Sequence, residues 1–232
     1  MESYETTKHE HEGAADSRLR PRLDGRRLDD DPDACLARSR ARWLRRCLDA
    51  LGERPTHMVA LGRDHGSNNS AFFGNLHIKS LVTIDLAERS RTGVLRSADG
   101  KATLVHVSDY RASESADLAF THGVFDHMPE LERAAAAVLV SRSLSSGGVF
   151  AVWQRNPWSP GAIWSSRPAV PGGSPVLTAR ETRRLLRGVG FDIIHTTSPL
   201  FFPQSLSWCE PLETLLAPIQ MGGEYMVLAR KP

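Results

Sequence analysis

Residues 58–67 have the sequence MVALGRDHGS, an apolar run that ends in a glycine-containing turn. A run of this kind is typical of a buried strand, and the turn predicts a helix after it. In α/β proteins such a junction binds nucleotide-like cofactors, because backbone N–H groups at a helix N-terminus face the ligand. Gly62 and Gly66 give the backbone the freedom that a close approach to a ligand requires, while Arg63, Asp64 and His65 stand between them.

The overall composition is that of an ordinary globular chain and limits the classes of partner. The 232 residues are 41% hydrophobic and 24% charged, with a formal net charge of +2. This balance predicts neither nucleic acid nor a membrane as partner, and no apolar run is long enough for a membrane span. The polar, acidic N-terminus does not resemble a secretory signal peptide. Three scattered cysteines without metal-ligand spacing favour reduced thiols, so we expect a cytoplasmic protein. The sequence shows no compact carboxylate–histidine cluster, so we expect no metal site, although Asp109, Asp117 and Asp126 could approach one another in the folded chain.

The first part of the chain differs in composition from the remainder. Residues 1–33 are rich in charged side chains and poor in apolar ones, which predicts a disordered polar tail. A helix is expected from about Asp33 to Gly52, with most of its arginines on a solvated face. One domain therefore covers residues 34–232.

Short apolar strands alternate with helices through this domain. The predicted strands are His57–Leu61, Leu81–Asp85, Thr103–Val107, Asp117–Thr121, Val149–Trp153, Phe191–Thr196 and Tyr225–Ala229. Helices are predicted at Glu130–Leu144, built on Leu131, Ala135, Val138 and Leu139, and from Thr178, where Glu181 completes a capping-box pattern. Strands and helices in alternation indicate an α/β fold with a Rossmann-like, doubly wound and mostly parallel sheet. Ligands bind such sheets at the carboxyl ends of the strands.

Five segments in this order resemble the class I S-adenosylmethionine-dependent methyltransferases. They are VALGRDHG at 59–66, VTIDLAE at 82–88, VSDYR at 107–111, ADLAFTHGVFDHMPE at 116–130 and LSSGGVFAVWQRNPW at 144–158. The segments QRNPWSP, GFDIIHTTSPLFFP and PLETLLAPIQMGGEYMVLARKP that follow resemble a bacterial subgroup related to the ubiquinone-pathway O-methyltransferases. The resemblance covers nearly all of the chain after residue 50. It implies a seven-stranded sheet whose last strand is antiparallel.

The resemblance also implies a cofactor, S-adenosyl-L-methionine, and a set of residues that bind it. Asp85 would accept hydrogen bonds from both ribose hydroxyls, since a carboxylate accepts at both oxygens. Asp109 would receive the adenine amine, and Thr121 would lie near the methyl group. The full set is Gly62, Arg63, Asp64, Gly66, Asp85, Leu86, Ser108, Asp109, Tyr110 and Thr121.

The first glycine motif departs from the family's pattern. Ala60 stands where the family has an acidic residue that helps to hold the cofactor's ammonium group. Asp64 occupies the usual place of the middle glycine, so that a charged side chain projects where bare backbone is normal. Arg63 could offset that charge.

Two residues are candidates for the chemistry, and four for binding a small-molecule substrate. His122 follows the fourth predicted strand directly and is either a general base or a packed side chain. Arg155 either binds a carboxylate or phosphate of the substrate or is a surface arginine. His127 is expected to pack or cap beneath the site, and Trp153 to pack in the core. Asn156, Trp158, Trp164 and Phe201 would line a pocket for a flat or apolar molecule.

These observations predict a methyltransferase that acts on oxygen or nitrogen of a small molecule, as a monomer or homodimer, in secondary metabolism or another biosynthetic role. The altered glycine turn keeps two alternatives open. The first is a methyltransferase fold that catalyses a cyclisation, rearrangement or hydrolysis, and the second is a non-catalytic partner subunit. A fold alone does not decide among them.

Overall fold

The computed structural model describes residues 32–62, 76–86, 93–97, 100–159, 176–199 and 222–232. Within them are three α-helices: α1 (Pro32–Ala50), α2 (Glu130–Ser143) and α3 (Ala179–Gly188). The strands are β1 (His57–Gly62), β2 (Ser80–Asp85), β3 (Gly93–Ser97), β4 (Gly100–His106), β5 (Ala116–His122), β6 (Leu144–Arg155), β7 (Asp192–Thr197) and β8 (Glu224–Arg230). Residues 1–31 of the predicted tail (1–33) lie outside the described residues, and Pro32 and Asp33 belong to α1.

The strands form one sheet in the order β3-β4-β2-β1-β5-β6-β8-β7. Strands β4, β2, β1, β5 and β6 pair in parallel, whereas β8 is antiparallel to both β6 and β7. Without β3, this is the predicted seven-stranded sheet with its last strand antiparallel, so the predicted fold class is confirmed. The edge strand β3, antiparallel to β4, was not predicted.

Apolar side chains cover both faces of the sheet. On one face, α1 contributes Ala41, Leu44 and Leu48 to a cluster with residues of the central strands. On the other, α2 and α3 pack through Ala137, Val140 and Leu186. The sheet therefore has the helix-on-both-faces architecture that buries parallel strands on either side.

The buried face of α2 differs from the one predicted. The side chain of Leu131 is 86% exposed and Val138 is also exposed, whereas Arg133, Ala136, Ala137 and Val140 are buried. The four successive alanines do not define which face of the helix is buried, because they make every face partly apolar. Arg133 turns inward because its Nε donates to the carbonyl oxygen of Phe125 at 2.8 Å.

Helix α3 begins as the sequence predicted. Thr178 accepts a hydrogen bond from the Glu181 backbone, and the Glu181 carboxylate accepts one from the Thr178 backbone at 2.8 Å. This reciprocal capping box satisfies two backbone donors at the start of the helix.

Candidate functional site

The carboxyl ends of four parallel strands meet at one edge of the sheet. In the strand register Gly62 lies beside Asp85, Asp85 lies beside His106, and Leu61 lies beside Thr121. Thr121 is buried, and its hydroxyl donates to the carbonyl oxygen of Leu61 at 3.1 Å. This bond joins the ends of β1 and β5, and so fixes the central part of the edge.

The predicted ribose-binding carboxylate lies at this edge. The Asp85 side chain is 1% exposed, and its backbone carbonyl accepts a hydrogen bond from Val107 at 3.0 Å. The next residue, Leu86, donates its N–H to the carbonyl of Gly62 at 3.1 Å. The ladder between β1 and β2 thus continues one residue past the strand ends, and it keeps Gly62 and Asp85 side by side.

After β4 the chain turns and brings two more polar residues to the same edge. The backbone N–H groups of Asp109 and Tyr110 both donate to the carbonyl of His106, at 2.9 and 3.1 Å. The Ser108 hydroxyl donates to Asp109 Oδ1 at 3.0 Å and lies 2.7 Å from Nδ1 of His106. Ser108 and Asp109 are exposed. His106, which our sequence analysis did not single out, therefore organises the turn predicted to receive the adenine.

His122 lies at the end of β5 and is partly open to solvent. Its side chain is 35% exposed, and Nε2 lies 3.4 Å from Oε1 of Glu224 at the start of β8. Gly123 follows in the left-handed conformation (φ 65°), and its N–H donates to the carbonyl of Trp153. A side chain on residue 123 would be strained in this conformation, so glycine suits the bend that ends β5.

Glu224 is the centre of a polar cluster that the sequence analysis missed. Arg40 of α1 donates to both of its carboxylate oxygens, at 2.8 and 2.6 Å, and Trp153 Nε1 donates to Oε2 at 2.6 Å. Burial of the carboxyl group disfavours its charge, but the hydrogen bonds from His122 and Arg40 and the Arg40 charge outweigh burial and lower the pKa of Glu224 from 4.5 to about 2. Trp153 is fully buried, which confirms its predicted core packing.

A second buried carboxylate lies on the opposite face of the sheet. Burial raises the pKa of Asp126 above its ordinary value, against the opposing influence of Arg155 and of a backbone hydrogen bond from Leu177. Arg155 Nε is 3.5 Å from Asp126 Oδ2, and the Gln154 amide, oriented to donate, lies 3.2 Å from both oxygens. His127 is exposed, so it does not pack beneath the site, and the predicted alternative, that it caps there, stays a prediction.

The predicted substrate residues that the structure describes differ in their surroundings. Asn156 is buried, donates from Nδ2 to the carbonyl of Gly222 at 2.9 Å, and accepts the N–H of Trp158 at 3.1 Å. Its amide thus joins the end of β6 to the segment that enters β8. The Trp158 side chain is 69% exposed. Arg155 is 53% exposed and lies beside Glu224 in the register of β6 and β8.

The structure therefore aligns Gly62, Asp85, Thr121 and His122 at the carboxyl edge and adds the turn after β4. The remaining predicted positions, Arg63, Asp64, Gly66, Trp164 and Phe201, lie outside the described residues. Glu224 and Arg40 were missed because 184 positions separate them and no local pattern links them. An acidic residue at the entrance to an apolar strand is the one signal that Glu224 offers.

Two features are absent from the described ranges. Within them, no three histidine, cysteine, aspartate or glutamate side chains lie close enough to form a metal site. None of the helices described is both long and apolar enough to cross a membrane.

Comparison with known proteins identifies similar folds but no close sequence relative. No protein-family model matches the chain, and no curated protein sequence matches it. Among solved structures, a S-adenosylmethionine-dependent methyltransferase from Mesorhizobium loti is 18% identical with a TM-score of 0.54, over 82% of this chain and 98% of that one. The strand order and this similarity give the chain the class I methyltransferase fold.

Two other similar structures differ from each other in activity. The 1,6-didemethyltoxoflavin-N1-methyltransferase of Burkholderia thailandensis, solved with 1,6-didemethyltoxoflavin and S-adenosylhomocysteine, is 17% identical with a TM-score of 0.54, over 88% of this chain and 80% of that one. The cyclase SpnF is 18% identical with a TM-score of 0.51, over 81% of this chain and 80% of that one. The same fold thus supports methyl transfer in one of these proteins and a cyclisation in the other.

Proposed function

We propose that this protein is an S-adenosylmethionine-dependent methyltransferase that modifies oxygen or nitrogen of a small molecule. The observation that carries the proposal is the alignment of Gly62, Asp85, Thr121 and His122 along one carboxyl edge, with Ser108 and Asp109 in the turn after β4. Sheets of this architecture bind ligands at that edge. The sequence resemblance to the ubiquinone-pathway subgroup is part of the same proposal.

The chemistry of these side chains fits a nucleoside cofactor. Asp85 is a carboxylate at the end of β2, next to a glycine that leaves room for backbone contact, and it suits a vicinal diol. Asp109 and Ser108 present exposed oxygens one strand away and suit an amino group. When bound, S-adenosylmethionine supplies an electrophilic methyl group.

The residues around His122 suit the handling of an acceptor. His122 is a partly exposed imidazole at this edge and would remove the acceptor's proton, a task for which histidine is suited near neutral pH. Arg155, half exposed at the end of β6, would orient an anionic group of the acceptor. Each acts by position, since in-line displacement depends mainly on alignment of the two reactants.

Calorimetric titration with S-adenosylmethionine and S-adenosylhomocysteine tests the proposal. We expect the wild-type protein to bind both ligands, and Asp85→Asn to weaken binding by at least about tenfold, since it removes a charged acceptor worth roughly 1.5–3 kcal/mol. Asp192→Asn, at an exposed aspartate that begins β7, is the matched control and should bind like the wild type. Equal binding by Asp85→Asn and wild type would contradict the assigned site.

A second function is compatible with the fold, because the similar structure SpnF is a cyclase. A methyltransferase fold that catalyses a different reaction would use His122, Asp126 and Arg155 as polar groups without methyl transfer. Failure of the wild-type protein to bind either ligand would eliminate the methyltransferase proposal and direct the search to this chemistry or to a partner-subunit role.

A further inference from the structure

The contacts of Glu224 constrain the protonation of His122, because the other side chains that contact the Glu224 carboxylate can only donate hydrogen bonds. Arg40 Nη2 and His122 Nε2 face carboxylate oxygen Oε1, at 2.6 and 3.4 Å, while Arg40 Nε and Trp153 Nε1 face Oε2 at 2.8 and 2.6 Å. Guanidinium and indole N–H groups have no acceptor capacity. The carboxylate therefore stays oriented with Oε1 towards the imidazole.

The imidazole must present a proton to this oxygen. A neutral histidine carries its proton on one of two nitrogens, and an unprotonated Nε2 would set its lone pair against those of Oε1. Protonated Nε2 instead makes an attractive contact, although 3.4 Å is at the long end of hydrogen-bonding distance. The ionised state of Glu224 strengthens this preference, since a charged acceptor forms the stronger bond.

We propose that Glu224 is a positioning residue that fixes neutral His122 as the Nε2–H tautomer and leaves Nδ1 as the proton acceptor. The tautomer assignment follows from the geometry alone. Its role in catalysis, the removal of the acceptor's proton, rests on the proposed function. Arg40 contributes to this positioning, because its bidentate ion pair holds the Glu224 carboxylate in place. Helix α1 would therefore contribute to the acid–base site and not only to the core.

Replacement of Glu224 by glutamine should switch His122 from the Nε2–H tautomer to the Nδ1–H tautomer. Oε2 faces two strict donors, Arg40 Nε and Trp153 Nε1, whereas Oε1 faces one, Arg40 Nη2. Glu224→Gln would therefore place its NH₂ group at the Oε1 position, where it faces His122, and Arg40 Nη2 moves away. His122 Nε2 would then accept a hydrogen bond and the proton would move to Nδ1.

The test is nitrogen NMR of the full chain labelled at histidine, at about pH 9, where histidine is ordinarily neutral. His122→Gln assigns the His122 signals among the nine histidines of the chain. We expect protonated Nε2 in the wild type and protonated Nδ1 in Glu224→Gln. Glu53→Gln, which alters a different ion-paired glutamate, bonded to Arg230 at 2.6 Å, should leave the wild-type tautomer unchanged.

The wild-type spectrum alone can refute the proposal, even where Glu224→Gln fails to fold. Protonated Nδ1, or an equal mixture of tautomers, in the wild type would overturn the proposal. Unchanged tautomers in a folded Glu224→Gln would overturn it as well. S-Adenosylmethionine titration of the wild type, Glu224→Gln and Glu53→Gln separates the two proposals, because a positioning role predicts equal affinity in these three proteins. Absence of binding by the wild type would refute the methyltransferase function and leave the tautomer assignment standing.

Discussion

Glu224 shows how a single side chain connects stability with the candidate site. Its carboxylate is largely buried yet ionised, because Arg40, Trp153 and His122 surround it with donors. Removal of one partner of a buried ion pair strongly destabilises the fold, since the other charge stays buried and unpaired. The cluster therefore ties α1, β5, β6 and β8 together at the edge where the cofactor and acceptor are proposed to bind.

The lowered pKa of Glu224 predicts a specific pH dependence of stability. A carboxyl whose pKa falls from 4.5 to about 2 on folding stabilises the protein above its unfolded pKa, and this contribution disappears as the pH drops towards the folded pKa. We expect the difference in unfolding free energy between wild type and Glu224→Gln to narrow by about 2 kcal/mol between about pH 5 and about pH 3. Urea denaturation across this range measures it.

Glu114→Gln is the control for this experiment. Glu114 is an exposed glutamate whose contact with Lys231 is 3.2 Å long, so Glu114→Gln should change the unfolding free energy by less than about 0.5 kcal/mol. Parallel stability curves for wild type and Glu224→Gln would show that the carboxylate does not gain its charge-stabilising contacts on folding.

Helix α3 shows that a local sequence pattern can predict where a helix begins. Its capping box was predicted from Thr178 and Glu181 alone, because the two side chains and the two backbone groups that they satisfy lie within one turn. Thr178→Ala removes the hydroxyl that accepts from the Glu181 N–H, and we expect a loss of about 1 kcal/mol in unfolding free energy by urea denaturation. Thr178→Ser keeps the hydroxyl and should stay close to wild type. Equal losses in both variants would indicate that the methyl group, and not the cap, matters.

The strands of the central sheet were predictable for a similar reason. Each is a short apolar run bounded by polar residues, so that β1, β2, β4 and β5 were placed within three residues of their observed bounds, whereas β6 begins five residues before its predicted start. Strand β3 was missed because its five residues, GVLRS, lack a clear alternation. The buried face of α2 was misplaced because its alanines leave the helical phase undefined.

The candidate site was only partly predictable from the sequence. Some of its residues follow strand ends directly, whereas others come together only through contacts between distant segments. Asp85 and His122 follow strand ends, where a sequence pattern finds them directly. The pairing of Glu224 with Arg40 and His122 arises only after β8 inserts beside β6 and α1 packs over the sheet. Such contacts between distant segments leave no local periodicity, so sequence reasoning assigned the arginines of α1 to a solvated face.

The molecule as a whole is held by one sheet with an apolar cluster on each face, and β6 belongs to both clusters. Val149, Ala151 and Trp153 of this strand face the α1 side, while Phe150 and Val152 face α2 and α3. Loss of β6 would therefore disrupt both cores at once. Among the strands that the structure describes, β3 in contrast pairs with β4 alone, at the edge of the sheet.

This arrangement predicts a gradient of hydrogen exchange across the sheet. Amides of β6 should exchange only through global unfolding, which for a domain of this size is opposed by roughly 5–15 kcal/mol. Amides of β3 should exchange at least about a hundredfold faster, because an edge strand opens without disturbing either core. Deuterium uptake followed by mass spectrometry on peptides that cover residues 93–97 and 149–155 measures the difference. Equal protection of the two peptides would mean that the edge strand opens only together with the centre, and that the sheet unfolds as a single unit.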